Sequence, residues 1–428
     1  MTQPLRIAIA GLGTVGTGIV RMVQTHGDKM LARSGREIRI VAVSARSRGK
    51  DRGVKLDAFA WEDDPVALAR RDDVDLIVEV MGGEDGPAKV LTETALAAGK
   101  HVVTANKAMM ARHGQALAEL AEANDAALRY EAAVAGGIPI MKALTEGLAG
   151  NGIERVMGVM NGTCNYILTQ MEETGADYED VLAAAQQLGY AEADPAFDVG
   201  GIDAAHKLAL LAATAFGTRV DFDGVTIEGI EHISLTDITQ ARELGYKVKL
   251  LGVARMSDEG LEQRMQPVLV PARSSIGQLE GVTNLVVVEG DFVGRTVFTG
   301  PGAGEGPTAS AIMGDVMDIA RGLRIPAFGQ PAHSLSAANR AANAGAASHY
   351  LRFTLTDAPG TLARIAQILA DEGISIDRMR QNDHDGTNVP VLIVTHDCLR
   401  SNLDAALSRI AASDVSLAPP VALRIEQV

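Results

Sequence analysis

The stretch RIAIAGLGTVG, residues 6–16, most narrows the folds open to this chain. RIAIA has the continuous apolar character of a strand buried on both faces. It runs directly into Gly11-Leu12-Gly13-Thr14-Val15-Gly16, the spacing G-x-G-x-x-G, and helical spacing continues from Val15 to about Leu31. In such a unit the first glycine permits a tight turn. The second lets backbone N–H groups approach a pyrophosphate, and the third lets helix and strand pack closely. The helix N-terminus adds partial positive charge. A dinucleotide-binding βαβ unit is expected.

Apolar runs recur at 38–45, 74–80, 101–106 and 127–135, separated by alanine-rich helical segments such as 87–98 and 113–123. This alternation predicts a parallel sheet covered on both faces, an α/β doubly wound domain of Rossmann type over residues 1–135. After the second strand an acidic residue would suit the ribose of NAD(H). This chain instead offers Ser44, Arg46, Arg48, Lys50 and Arg52. Guanidinium and ammonium groups suit a 2′-phosphate, so NADP(H) is favoured over NAD(H).

Residues 136–330 read as an α+β domain with strands at 155–160, 246–255, 266–270 and 283–290 and helices at 164–173, 178–187, 201–216 and 308–322. Residues 331–348 are small and polar and read as a linker. Residues 349–428 follow a βαββαβ order, a ferredoxin-like unit. A chain of 428 residues supports such a division. The net charge of −15 argues against nucleic acid or an anionic membrane as partner. Two cysteines exclude a disulfide framework. No apolar run nears the roughly 18 residues of a membrane span, and the first strand begins too early for a signal peptide. The expected setting is the cytoplasm.

The densest chemistry lies in GYAEADPAFDVGGIDAAHK, residues 189–207. Glu192, Asp194, Asp198 and Asp203 precede Lys207, and Asp203 and Lys207 stand four apart on one helix. As an exposed pair they would contribute only about 0.3–0.5 kcal/mol. Leu208, Leu210 and Leu211 follow, however, which predicts a buried helix, and a buried ammonium needs partners. His206, off that face, reads as a packing residue. Thr104 and Lys107, in TANK after a first-domain strand, fall where open α/β sheets bind ligands. Glu131, ahead of AAVAGGIPI, could hold a hard monovalent cation with loop carbonyls or could cap a helix. Cys164 is the one candidate nucleophile.

GLGTVG, TANK, EAAVAGGIPI (131–140), NGTCNYIL (161–168) and the 189–207 segment together resemble the homoserine dehydrogenase family, over residues 1–330. The tail, with TDAPGTLARIAQILADEGISI (356–376), resembles an ACT domain. The resemblance implies reversible NAD(P)H-dependent reduction of L-aspartate 4-semialdehyde to L-homoserine, in the monofunctional form. It implies Lys207, Lys107 and Asp203 as catalytic residues. Glu192, Asp198 and Lys207 would bind substrate. Cofactor contacts would come from residues 11–16, Arg46, Arg48, Lys50, Thr104, Lys107 and Gly304, the domain's end returning to the cofactor. A sodium ion would sit at Glu131 with the carbonyls of Val134, Gly136 and Ile138. An amino-acid effector, L-threonine, is expected at the ACT domain near Asp357-Pro359-Gly360. The expected assembly is a homodimer through the middle sheet or a homotetramer through ACT pairing. The competing expectations are an acylating semialdehyde dehydrogenase using Cys164 and an inactive amino-acid sensor.

Overall fold

The computed structural model describes residues 3–191, 194–342, 345–381 and 388–428. The first sheet contains β1 (Leu5–Ala10), β2 (Ile38–Ser44), β3 (Ala60–Glu62), β4 (Leu76–Glu79), β5 (His101–Thr104) and β6 (Leu128–Arg129). Their order is β3-β2-β1-β4-β5-β6 with every pair parallel. Strand order therefore reverses between β1 and β4, which opens a crevice at their carboxyl ends. Side chains alternate across β1. Leu5, Ile7 and Ile9 pack with Ile312 and Val316, while Ala8 and Ala10 face a core containing Leu91 and Met110.

The helix Glu305–Ala320, which follows the middle domain, packs back on the first helix, Thr14–Ser34. Gly18 makes this approach feasible, since an added Cβ would lie 2.6 Å from Glu305 Cγ. The expected strand at 127–135 shortens to β6. The chain then makes a single 3₁₀ turn, Glu131–Ala133, whose Glu131 N–H donates to Asp315 Oδ2 at 2.9 Å instead of extending the ladder. Burial in the turn requires apolar residues as a strand would, so composition alone could not separate the two.

The second sheet begins with β7 (Ile153–Val159), β8 (Thr226–Ile227), β9 (Tyr246–Ser257), β10 (Gly260–Pro271), β11 (Thr283–Gly290) and β12 (Gly294–Pro301). It continues through β13 (His349–Thr356), β14 (Ile376–Gln381), β15 (Asn388–Thr395) and β16 (Val421–Ile425). The order is β12-β11-β7-β9-β10-β16-β13-β15-β14, with β8 also on β10. The last four strands and the helices Thr361–Asp371 and Arg400–Ala411 form the expected βαββαβ unit. β12 and the helix Leu235–Glu243 were not anticipated. The first is a largely exposed edge strand without an apolar run. The second is started by the Ser234/Asp237 capping box rather than by an apolar stripe.

The C-terminal unit is no separate sheet. β16 pairs in parallel with β10, with Val268 opposite Arg424 and Leu269 opposite Ile425. Buried Asp237 reinforces this seam by accepting from Tyr350 Oη at 3.1 Å and Arg352 Nε at 2.7 Å. The segment expected as a linker is held down. Leu261 N donates to Asn339 O at 2.7 Å, and Arg340 forms a bidentate pair with Asp221. No described helix is long and apolar enough to cross a membrane.

Candidate active site

The helix Ile202–Phe216 starts at Gly201, whose φ of 80° is the left-handed geometry that glycine adopts freely. Asp203 lies in its first turn, where the helix dipole favours an anion. One turn on, Lys207 Nζ donates to Asp203 Oδ2 at 2.7 Å and to Met160 O at 2.8 Å. The Lys207 side chain is 11% exposed and Asp203 9%, so this is no solvated surface pair. Lys107 Nζ stands 2.9 Å from Asp203 Oδ1. Burial raises the Asp203 pKa, but the ammoniums of Lys207 and Lys107 outweigh it and leave the carboxyl well below its ordinary range.

Asn161 connects this carboxylate to Asp198. Its Nδ2 donates to Asp198 Oδ1 at 2.8 Å and to Asp203 Oδ2 at 3.1 Å. Its Oδ1 accepts from Cys164 N at 2.9 Å, capping the helix Gly162–Thr174. Burial pushes the Asp198 carboxyl up, and the Asn161 amide opposes that shift. Among the described residues Asp194 bonds locally, with its Oδ1 accepting from Ala196 N at 3.2 Å. Glu192 lies outside the described residues. His206 stacks on Phe222 with centroids 4.1 Å apart, as a packing residue should.

Lys107 owes its place to β5 and to Asn106. Asn106 caps the helix Lys107–Ala123 by accepting from Met109 N and donates from Nδ2 to Gly83 O at 2.6 Å. Thr104 Oγ1 donates to buried Glu79 Oε2 at 2.6 Å, and Glu79 Oε1 accepts from Met81 N at 2.7 Å. This ties the β4 and β5 ends together beside the crevice. At Gly11, φ is 104° and an added Cβ would meet Val80 O at 2.7 Å; at Gly16 it would meet Gly11 O at 1.9 Å. Gly13 has open space around it, with Thr14 exposed, Val15 half-buried and Leu12 turned into the core.

Arg46, Arg48 and Lys50 are exposed on the loop after β2. Arg52 anchors that loop, donating to Leu12 O at 2.9 Å and Ser47 O at 2.7 Å. Gly304, φ 118°, precedes the helix Glu305–Ala320. Gly136, φ 54°, lies so near Gly302 that an added Cβ would be 2.3 Å from its carbonyl oxygen.

Cys164 is fully buried, and its Sγ donates to Asp198 O at 3.2 Å. Burial, then Asp198 and Asp203, push its thiol pKa well up, which disfavours the thiolate that acylating chemistry needs. Glu131 acts as a cap, accepting from Met141 N at 2.9 Å and Lys142 N at 2.8 Å. Burial, then Asp315, push its carboxyl up to about 7.

Residues 139–317 match the family model described as homoserine dehydrogenase, and residues 11–131 the one described as homoserine dehydrogenase, NAD binding domain. Residues 349–414 match the ACT domain. A homoserine dehydrogenase of Neisseria gonorrhoeae is 43% identical across 100% of this chain and 99% of its own length. The chain belongs to the homoserine dehydrogenase family. A homoserine dehydrogenase of Pseudomonas aeruginosa is 40% identical, with both chains covered in full (100%). The crystal structure of a homoserine dehydrogenase from Thiobacillus denitrificans has a TM-score of 0.94 at 41% identity, covering 99% of each chain. A hyperthermophilic archaeal homoserine dehydrogenase, solved in complex with NADPH, gives a TM-score of 0.63 at 26% identity over 74% of this chain and 97% of that chain.

A homoserine dehydrogenase is an NAD(P)-dependent oxidoreductase that interconverts L-aspartate 4-semialdehyde and L-homoserine, and this is the activity of the chain. Asn161, Glu79, Asn106 and the Met160 carbonyl join the site without a motif of their own. Asn161 was visible only as one of several small polar residues in NGTC, and a backbone carbonyl carries no residue signal.

Proposed function

We propose that Lys207 is the proton donor of this dehydrogenase, aligned by Asp203 and the Met160 carbonyl, with Lys107 completing the charge at the reacting oxygen. The observation that carries the reading is two lysines from different domains on one buried carboxylate. A bound reduced nicotinamide supplies the hydride to the aldehyde carbon. Lys207 then protonates the developing alkoxide, and Asp203 holds the lysine side chain in place for that transfer. Asp198 and Glu192 are the carboxylates assigned to the substrate ammonium. In the oxidising direction Lys207 must give up its proton first, so alcohol oxidation gains rate at alkaline pH. An assay with aspartate 4-semialdehyde tests this. Lys207→Ala should retain nucleotide binding and lose about 10²–10⁴-fold in turnover; a near-normal rate removes Lys207 from the mechanism.

The nucleotide preference we assign is NADP(H). Support comes from three exposed cations after β2, on a loop that Arg52 pins to the Leu12 carbonyl. Arg48→Asp should lower the NADPH-to-NADH ratio of kcat/KM. The oxygens of Glu131, Val134, Gly136 and Ile138 would hold a monovalent cation that fixes the loop between the domains. The donor set fits, because each carboxylate oxygen keeps a lone pair beside its N–H bond and a cation would restore the charge that burial disfavours. Replacing sodium by choline should then lower the melting temperature. At the ACT unit the reading is L-threonine at the Gly360 turn, which enters the helix Thr361–Asp371 at φ 92°. The assembly we assign is a homodimer through the middle sheet or a tetramer through ACT pairing. Light scattering with and without threonine tests both.

A further inference from the structure

The chain has one tryptophan, Trp61, and it stands beside the basic loop that follows β2. β3 pairs in parallel with β2, with Trp61 opposite Val43 and Glu62 opposite Ser44. Val43 in turn lies opposite Ile9 of β1. Side chains level with one another across a sheet share a face. Half-buried Trp61 therefore packs with Ile9 and Val43 on the face that carries the helix Thr14–Ser34. It sits one residue before the carboxyl end of β3, at the same edge of the sheet as the glycine-rich loop.

Two guanidiniums converge on its ring. Arg48 Cζ is 5.9 Å from the ring centroid and Arg52 Cζ 5.7 Å, within reach of a cation–π attraction. The ring is oriented by its own N–H, since Nε1 donates to Asp63 Oδ1 at 3.0 Å. The two arginines are held differently. Arg52 donates to the carbonyls of Leu12, Lys50 and Ser47 at 2.9, 2.8 and 2.7 Å. Arg48 is exposed, and among the described residues its guanidinium has no acceptor; what it rests on is the Trp61 ring.

Like charges brought this close repel, and among the described residues no carboxylate pairs with either. Glu62 accepts from Arg71 Nη1 at 2.6 Å, Asp63 takes the tryptophan N–H, and Asp51 Oδ1 accepts from Gly53 N at 2.9 Å. Two such guanidiniums, one pinned and one steadied by an aromatic face, are arranged for an anion from outside the protein. A phosphate monoester is the group that a guanidinium fork fits. Through Leu12 O the pair is tied to the glycine-rich loop that approaches the pyrophosphate.

We propose that Trp61 is a positioning residue for recognition of the 2′-phosphate of NADP(H). Its ring holds the Arg48 guanidinium beside Arg52, so the pair is in place before the nucleotide arrives, and that ordering is no longer charged to binding. The proposal rests on the NADP(H) reading above and places a determinant of it on β3, outside the loop that carries the cations.

The test compares two variants of the full-length enzyme. Trp61→Leu keeps an apolar side chain on the core and removes the aromatic face, whereas Trp61→Phe keeps a face. In Trp61→Leu the KM for NADPH should rise about 3- to 10-fold, with a smaller rise for NADH and the effect concentrated in KM rather than kcat. Trp61→Phe should restore most of the preference. In an Arg48→Met background Trp61→Leu should add little, because the ring acts through that arginine. The emission of the one tryptophan reports the site directly. Adenosine 2′,5′-bisphosphate should change it at saturation, and adenosine 5′-monophosphate, which lacks the 2′-phosphate, should change it less. A Trp61→Leu enzyme that keeps the wild-type NADPH-to-NADH ratio of kcat/KM overturns the proposal. So does one whose two KM values rise together, which makes Trp61 a packing residue, and so does an emission that bound bisphosphate leaves unmoved. A wild type with no preference for the phosphorylated nucleotide overturns the NADP(H) reading itself, and the proposal with it.

Discussion

Lys107 of the dinucleotide-binding domain stands 2.9 Å from Asp203 of the middle domain. The other oxygen of the same carboxylate holds Lys207 at 2.7 Å. Each domain thus delivers one ammonium to a single anion at their junction, beside the end of β5. A carbonyl oxygen reduced there would meet positive charge as it turns into an alkoxide, which is where electrostatic stabilisation is worth most.

Asp203→Asn keeps an oxygen for Lys207 but removes the charge that aligns both lysines. We expect turnover to fall by about 10²-fold or more with the nucleotide Kd nearly unchanged. Steady-state kinetics alongside cofactor titration separate the two. A drop confined to KM would mean that Asp203 only helps binding.

Asn161→Ser keeps a cap for the helix Gly162–Thr174 but loses the amide that joins Asp198 to Asp203. The Asp198 carboxyl, already raised by burial, then rises further, because the opposing hydrogen bond is gone. It is protonated at higher pH, so the acid limb of kcat/KM should move to higher pH. kcat/KM itself should fall by about 10- to 100-fold. A lower melting temperature with an unmoved pH profile would reduce Asn161 to a cap.

His349 gives the folded state a pH dependence. Burial, then Arg424 and Arg400, hold its pKa near 3 against an ordinary 6.5. Between these values the unfolded chain binds the proton and the folded chain does not. Its contribution is complete above pH 6.5 and shrinks as pH falls toward 3. Urea midpoints of His349→Gln should therefore decline less steeply than those of the wild type on acidification from pH 6.5. Parallel curves would show that the imidazole stays solvated.

Glu426 and Arg264 form a pair with side chains only 6% exposed, across the β10–β16 seam. Glu426→Leu leaves two guanidiniums, those of Arg264 and Arg424, without their shared carboxylate and should cost about 3–5 kcal/mol in chemical denaturation. A loss under about 1 kcal/mol would put the pair in water after all.

The doubly wound domain was legible because its signals are local. RIAIA followed by GLGTVG joins a strand, a turn requiring glycine and a helix within a dozen positions. The Asp203–Lys207 pair was equally legible, since four residues on a helix is one turn. The strand expected at 127–135 failed because a buried 3₁₀ turn carries the same apolar residues. β12 was missed because an exposed edge strand carries few of them.

By itself the sequence determined the family, the glycine-rich βαβ opening, the βαββαβ order of the tail, and which lysine shares a helix with which aspartate, all consequences of spacing along one segment. Only the tertiary structure decided that Lys107 meets Asp203 from 96 positions away, or that Asn161 joins two carboxylates. It also decided that Glu131 caps a turn and that β16 continues the sheet of β10. These contacts depend on where separate segments come to lie when the domains close on one another. No periodicity in the chain records that distance.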